Sequence, residues 1–171
     1  MGRQDRYGAR RSSRTRAVLP VIVVVCDDTK TAVAYFTALK QEVKSRKIVN
    51  VYPASCNGAT GRKVIADAKS RAEDRDPDDS VFVLIDVDTN PDMNGLRQEG
   101  AGNGIEVLFS NPCFEIWTLA HLQDTGEMFA DCDAVVRRIK IKWKETFGIE
   151  FANKAQADYE KLKRHRSMPA P

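Results

Sequence analysis

Two apolar runs set the architecture: LPVIVVVC at residues 19–26 and SVFVLID at residues 80–86. Neither alternates apolar with polar, so each predicts a strand covered on both faces, as in the middle of a parallel sheet flanked by helices. The segments between and after them fit that plan. Over residues 30–46, Val33, Phe36, Leu39, Lys40 and Val43 follow a three–four spacing, which predicts a helix. IVNVY (48–52) reads as a second strand, and residues 57–74 as turn residues leading into a helix with Val64, Ile65 and Ala68. Residues 75–79 read as a loop. Residues 90–104 are loop-rich, with room for one short helix, and IEVLFS (105–110) reads as a fourth strand. Asn111 then stands as an N-cap with Pro112 at the first helical position of PCFEIWTLAHL (112–122). This alternation predicts an α/β three-layer sandwich on a mainly parallel four-stranded sheet, with extra C-terminal helices. Its crossovers are right-handed and its ligands lie beyond the carboxyl ends of the strands.

Residues 124–171 form a basic, helical extension. Val136, Ile139, Trp143 and Phe147 share one helical face; RRIKIKWK (137–144) also alternates as a strand does, but the three–four spacing runs further and predicts helix. With 171 residues, 42% hydrophobic and 30% charged, the chain is expected to be one globular domain over residues 18–171. Residues 1–17 read as a flexible basic arm. Its first 16 residues hold six Arg against one Asp, so with the whole chain at +3 the remainder stands at −2. The arm reads equally as a phosphate-binding or a merely solubilising segment. The apolar run behind it lacks a small-residue cleavage site and is too short for a bilayer, which takes about 20 residues. No membrane association is expected. Cys26, Cys56, Cys113 and Cys132 are scattered and form no CxxC, which predicts reduced thiols, no zinc site and a cytoplasmic protein, with Cys26 and Cys113 as core filler.

Both apolar runs end in carboxylates: Asp27 and Asp28 after the first, Asp86 and Asp88 in and after the second. Residues i and i+2 of a strand point the same way, so Asp86 and Asp88 are expected on one side, facing Asp27 and Asp28. Such a set of hard oxygens suits Mg²⁺ or Mn²⁺ and repels itself without a cation. Strand-end aspartates also serve simply as loop and helix caps, and spacing alone leaves both readings open. A divalent ion there fits phosphodiester chemistry. VVVCDD, LIDVD and NPDMNG are also similar to phosphoacceptor receiver domains, but the Pro-x-Met-x-Gly turn stands one residue too far from Asp86 and no strand ending in Lys-Pro follows.

SNPCFEIWTLAHL (110–122) separates these options. Together with the strand ending in Cys-acid, Lys30-Thr31, Tyr35-Phe36 and Asp86-Val87-Asp88, it resembles the RloB-like family over residues 19–125. That resemblance implies a Toprim-like fold, restriction-system association and a Mg²⁺-dependent nuclease in abortive-infection phage defence, working with an ATPase partner. It implies Asp27 as general acid/base or ligand and Asp86 and Asp88 as metal ligands, with Asp28 available to join them. The family pattern has Glu-Gly where this chain has Asp27-Asp28, and a Glu where it has Ala32. Asp falls short of Glu by about 1.5 Å of reach, which leaves a weakened, binding-only module as the alternative. Glu115 and Lys30 are further catalytic candidates. His121, six residues beyond Glu115, lies on another helical face. Gly58–Gly61 could form a phosphate-binding turn or an ordinary one. Arg137, Arg138, Lys140, Lys142 and Lys144 are the candidate nucleic-acid contacts, joined by Lys161, Lys163, Arg164 and Arg166; charge runs are also commonly solvated faces.

Overall fold

The computed structural model describes residues 20–28, 30–46, 50–56, 61–73, 76, 78–124, 126–151 and 161–162. The basic arm, the turn at 57–60, and Lys163, Arg164 and Arg166 lie outside them. The elements run β1 (Val21–Cys26), α1 (Thr31–Arg46), β2 (Asn50–Ser55), α2 (Arg62–Arg71), β3 (Ser80–Asp86), a 3-10 turn (Val87–Thr89), α3 (Met93–Gly102), β4 (Glu106–Ser110), α4 (Glu115–Ala120) and α5 (Cys132–Phe147). The four strands form one sheet in the order β2-β1-β3-β4, and every pairing is parallel. The two continuous apolar runs are thus the two central strands.

Register explains why those runs do not alternate. Val21, Val23 and Val25 of β1 pack with Val81, Val83 and Ile85 of β3 against Val64, Ile65 and Ala68 of α2 and Leu96 of α3. Val24, Cys26 and Leu84 point to the opposite face, against Ala32, Phe36 and Phe114. A third cluster joins α4 to α5 through Leu119, Val135, Ile139 and Trp143, with Phe151 and Leu162. Each buried aliphatic side chain contributes about 1.5–3 kcal/mol of transfer free energy.

Several expectations shift. β2 runs on to Ser55 and includes Pro53, which pairs with Val24. β2 is an edge strand, where a missing N–H is tolerated. The 90–104 stretch holds a full ten-residue helix, α3, despite its glycines. Asp92 caps it by accepting from Gly95 N at 3.0 Å. At Gly100 a Cβ would fall 2.4 Å from Val107 Cγ2, so close packing of α3 on β4 requires glycine there. Asn111 is not an N-cap: the Asn111–Pro112 peptide is cis, and the helix starts three residues later, at Glu115. The helical reading of 137–144 holds. Ile139 and Trp143 are buried as expected, with Val135 rather than Val136 completing the inner face. No helix among the described residues is long and apolar enough to cross a membrane.

Candidate functional site

The carboxyl ends of β1 and β3 lie side by side, with Cys26 opposite Leu84 and Asp86 opposite Ser110 of β4. Asp27 continues from β1 and is bonded to β3 twice. Its N–H donates to Leu84 O at 3.2 Å, and its Oδ2 accepts from Asp86 N at 2.9 Å. Only 8% of Asp27 is exposed. Burial pushes its carboxyl up, the Asp28 charge adds to this, and the Asp86 N–H pulls it back.

Asp28 behaves differently. Oδ1 accepts from Lys30 N at 3.1 Å, and Oδ2 accepts from Thr31 N at 3.0 Å and Ala32 N at 3.1 Å. Both oxygens therefore cap α1, satisfying N–H groups that a helix start leaves unbonded. Of the two readings left open for strand-end aspartates, this one is the cap. Lys30 is exposed beside it.

Asp86 ends β3, and its carboxyl is raised to about 8. Burial is the largest cause, followed by the negative charges of Asp27, Glu115 and Asp88; a backbone hydrogen bond from Phe114 opposes them. Asn90, buried and unforeseen, donates from Nδ2 to Asp86 O at 2.9 Å. Asp88 does not continue the strand. It lies in the 3-10 turn and is exposed, because two-residue alternation holds only while the chain stays extended. Its N–H donates to Pro112 O at 3.1 Å, which ties the turn after β3 to the turn before α4.

α4 contributes Glu115, only 3% exposed. Thr31 Oγ1 donates to Glu115 Oε1 at 3.0 Å, so the start of α1 positions the carboxylate of α4. His121 faces elsewhere, with Tyr35 Oη 3.2 Å from its Nε2. Ser110 Oγ accepts from Trp117 Nε1 at 3.0 Å. Thr31 and Asn90 escape a reading by residue type, since Thr31 matters through a contact with the distant Glu115 and Asn90 through the turn that brings it back to Asp86 O. The Asp28-x-x-Thr31 spacing at a helix start was the available signal for the cap.

The rim offers hard oxygens from β1, β3, the 3-10 turn and α4. No three of these carboxylates bring oxygens within 4.8 Å of one another among the described residues. That spacing suits a cation that takes one or two carboxylates and keeps its waters, as Mg²⁺ does. It does not suit a tight cage of protein ligands. On α5, Arg137 and Lys140 are exposed. Arg138 pairs with Glu127, Lys142 with Glu145 at 2.8 Å and Lys144 with Glu150 at 2.6 Å. The basic face is thus partly neutralised by its own ion pairs.

One expectation fails outright. Cys113 and Cys132 are joined as a disulfide with their Cα atoms 5.6 Å apart, whereas Cys26 and Cys56 are free. Nineteen residues separate the pair, and only the packing of α4 on α5 brings them together.

Parallel sheet, alternating helices and a carboxylate-lined carboxyl edge define an α/β protein whose ligand side is acidic. No curated protein and no solved structure matches the chain. A family model does, over residues 22–169: the chain belongs to the RloB-like protein family. The match reaches well past residue 125, where the recognisable sequence motifs end, and takes in the basic helix α5.

Proposed function

We propose that this RloB-like protein is a divalent-metal-dependent nuclease, a phosphodiesterase of DNA or RNA in prokaryotic anti-phage defence. The observation that carries the reading is the convergence of Asp27, Asp86, Asp88 and Glu115 from four separate segments on one edge of the sheet. Three like charges and burial together hold Asp86 far above the ordinary carboxylate range. Buried carboxylates crowded in this way favour a cation, and Mg²⁺ or Mn²⁺ is the hard ion such oxygens select. When bound, that ion supplies Lewis-acid stabilisation of charge on a phosphodiester.

Asp86 and Asp88 hold the cation in this reading. Asp27, fixed by the Asp86 N–H, serves as ligand or general base, and Glu115, fixed by Thr31, bounds the site. Lys30 and the exposed Arg137 and Lys140 of α5 offset phosphate charge along the nucleic acid. An ATPase partner and a cytoplasmic location complete the proposal.

A binding-only module is the second reading. It is favoured by the engagement of both Asp28 oxygens in capping and by the spread of the remaining carboxylates. A receiver-type phosphoswitch is disfavoured, because β4 is followed by Asn111-Pro112 and no strand ending in Lys-Pro comes after it. The test is a cleavage assay of wild type and Asp86→Ala on tRNA, plasmid and single-stranded DNA, with Mg²⁺ and Mn²⁺ varied. The nuclease reading expects metal-dependent cleavage that is lost in the variant. Retained binding without cleavage under either metal would establish the second reading in its place.

A further inference from the structure

On the far side of Glu115 from Thr31 lie two sulfurs the acidic rim does not use. Cys113, Cys132 and Glu115 each bring one ligand atom within 4.8 Å of the other two. Cys113 is 1% and Glu115 3% exposed, and Cys132 is half-buried as the first residue of α5. Cys132 Sγ approaches Glu115 Oε2 at 3.3 Å. A disulfide sulfur carries no hydrogen and cannot donate to Glu115. Once the S–S bond opens, the sulfur becomes a thiol donor, or a cation can lie between sulfur and carboxylate.

We propose that Cys113, Cys132 and Glu115 form a second cation site, thiophilic in character, that takes Zn²⁺ when the cysteines are reduced and is replaced by the disulfide when they are oxidised. Two thiolates and one carboxylate are ligands zinc accepts, with a fourth position left for water. They differ in kind from the all-oxygen rim, which favours Mg²⁺ or Mn²⁺. Cys132 stands at the N-terminus of a 16-residue helix, where partial positive charge favours the thiolate. Opening the S–S bond takes two electrons and two protons from a dithiol reductant, which leaves as its own disulfide. Zn²⁺ then displaces the two thiol protons. Glu115 belongs to both sites, so loading the thiol site neutralises a charge that bears on Asp86. The site itself does not depend on the nuclease reading.

The full-length protein, reduced with a phosphine and desalted, is titrated with Co²⁺ alone as a spectroscopic stand-in for Zn²⁺. A thiolate-to-cobalt charge-transfer band is expected, bleached by Zn²⁺ and missing from the oxidised protein. Cys132→Ser loses the band, and Cys56→Ser keeps it. In wild type, Zn²⁺ shields the half-buried Cys132 from alkylation, read by mass spectrometry, and leaves Cys56 reactive, a readout independent of how any variant folds. Absence of the band from reduced wild type overturns the site, as does its survival in Cys132→Ser or alkylation of Cys132 indifferent to Zn²⁺. None of these readouts involves cleavage, so failure of the nuclease assay leaves the result intact.

Discussion

Replacing Asp86 with Asn should make the protein more stable at alkaline pH while removing its response to a divalent ion. The Asp86 carboxyl lies at about 8 in the fold against 3.8 for the free group, raised by burial and by Asp27, Glu115 and Asp88. A group raised in this way stabilises the fold fully below the unfolded value. That contribution is lost as pH rises through the folded value, because the unfolded chain releases the proton and the folded chain resists doing so. A difference of about four pH units corresponds to ~6 kcal/mol if none of it is screened. Partial exposure of Asp86 and an effective dielectric well above that of a dry interior bring the expectation down to ~2 kcal/mol. For a chain of this size that is about 5 °C in Tm. Asn is neutral at every pH and keeps an oxygen for the Phe114 N–H. The Tm of Asp86→Asn relative to wild type should therefore rise from pH 4 to about pH 8 and level off above it when followed by circular dichroism in EDTA. Mg²⁺ at pH 8 should raise the Tm of wild type and not of the variant, since a ligand at about 100 times its Kd adds ~2.7 kcal/mol. A pH-independent difference between the two proteins, or a variant destabilised at pH 9, would refute the claim that burial and neighbouring carboxylates hold the Asp86 carboxyl high.

Asp28→Ala should lose about 1 kcal/mol through removal of the α1 cap while keeping any Mg²⁺-dependent gain in Tm, because its oxygens serve the helix; thermal melts with and without Mg²⁺ check both halves. Trp143→Ala empties the centre of the α4–α5 cluster and should cost about 3–5 kcal/mol in urea denaturation. Gly100→Ala drives a methyl into Val107 and the Ile105 carbonyl and should cost about 1–3 kcal/mol by the same assay.

The central sheet was legible in the sequence because β1 and β3 are buried on both faces, and burial on both faces writes itself as an unbroken apolar run. The inner face of α5 was legible for a similar reason: Ile139 and Trp143 repeat at helical spacing however the rest of the chain packs. Helix α3 was legible only as a short helix within a loop-rich stretch, since the need for Gly100 shows only once Val107 of β4 is seen pressing against it. The rim was legible in outline, with Asp27, Asp86 and Glu115 all at the carboxyl edge. Its details were not. Whether Asp28 caps or coordinates depends on where α1 begins, and the placement of Asp88 depends on the strand stopping at Asp86. Thr31 and Asn90 acquire roles only through partners 84 and 4 residues away. The Cys113–Cys132 pair left no trace in spacing, because α4 packing on α5 is what joins the two sulfurs.

Crystals of the full-length protein soaked in Mn²⁺, with anomalous scattering recorded at the manganese edge, test the acidic rim most directly. The account predicts an anomalous peak beyond the ends of β1 and β3, within coordinating distance of Asp86 and lost in Asp86→Asn. Saturating Mn²⁺ with no peak at that edge, or a peak that persists without the Asp86 carboxylate, would contradict it.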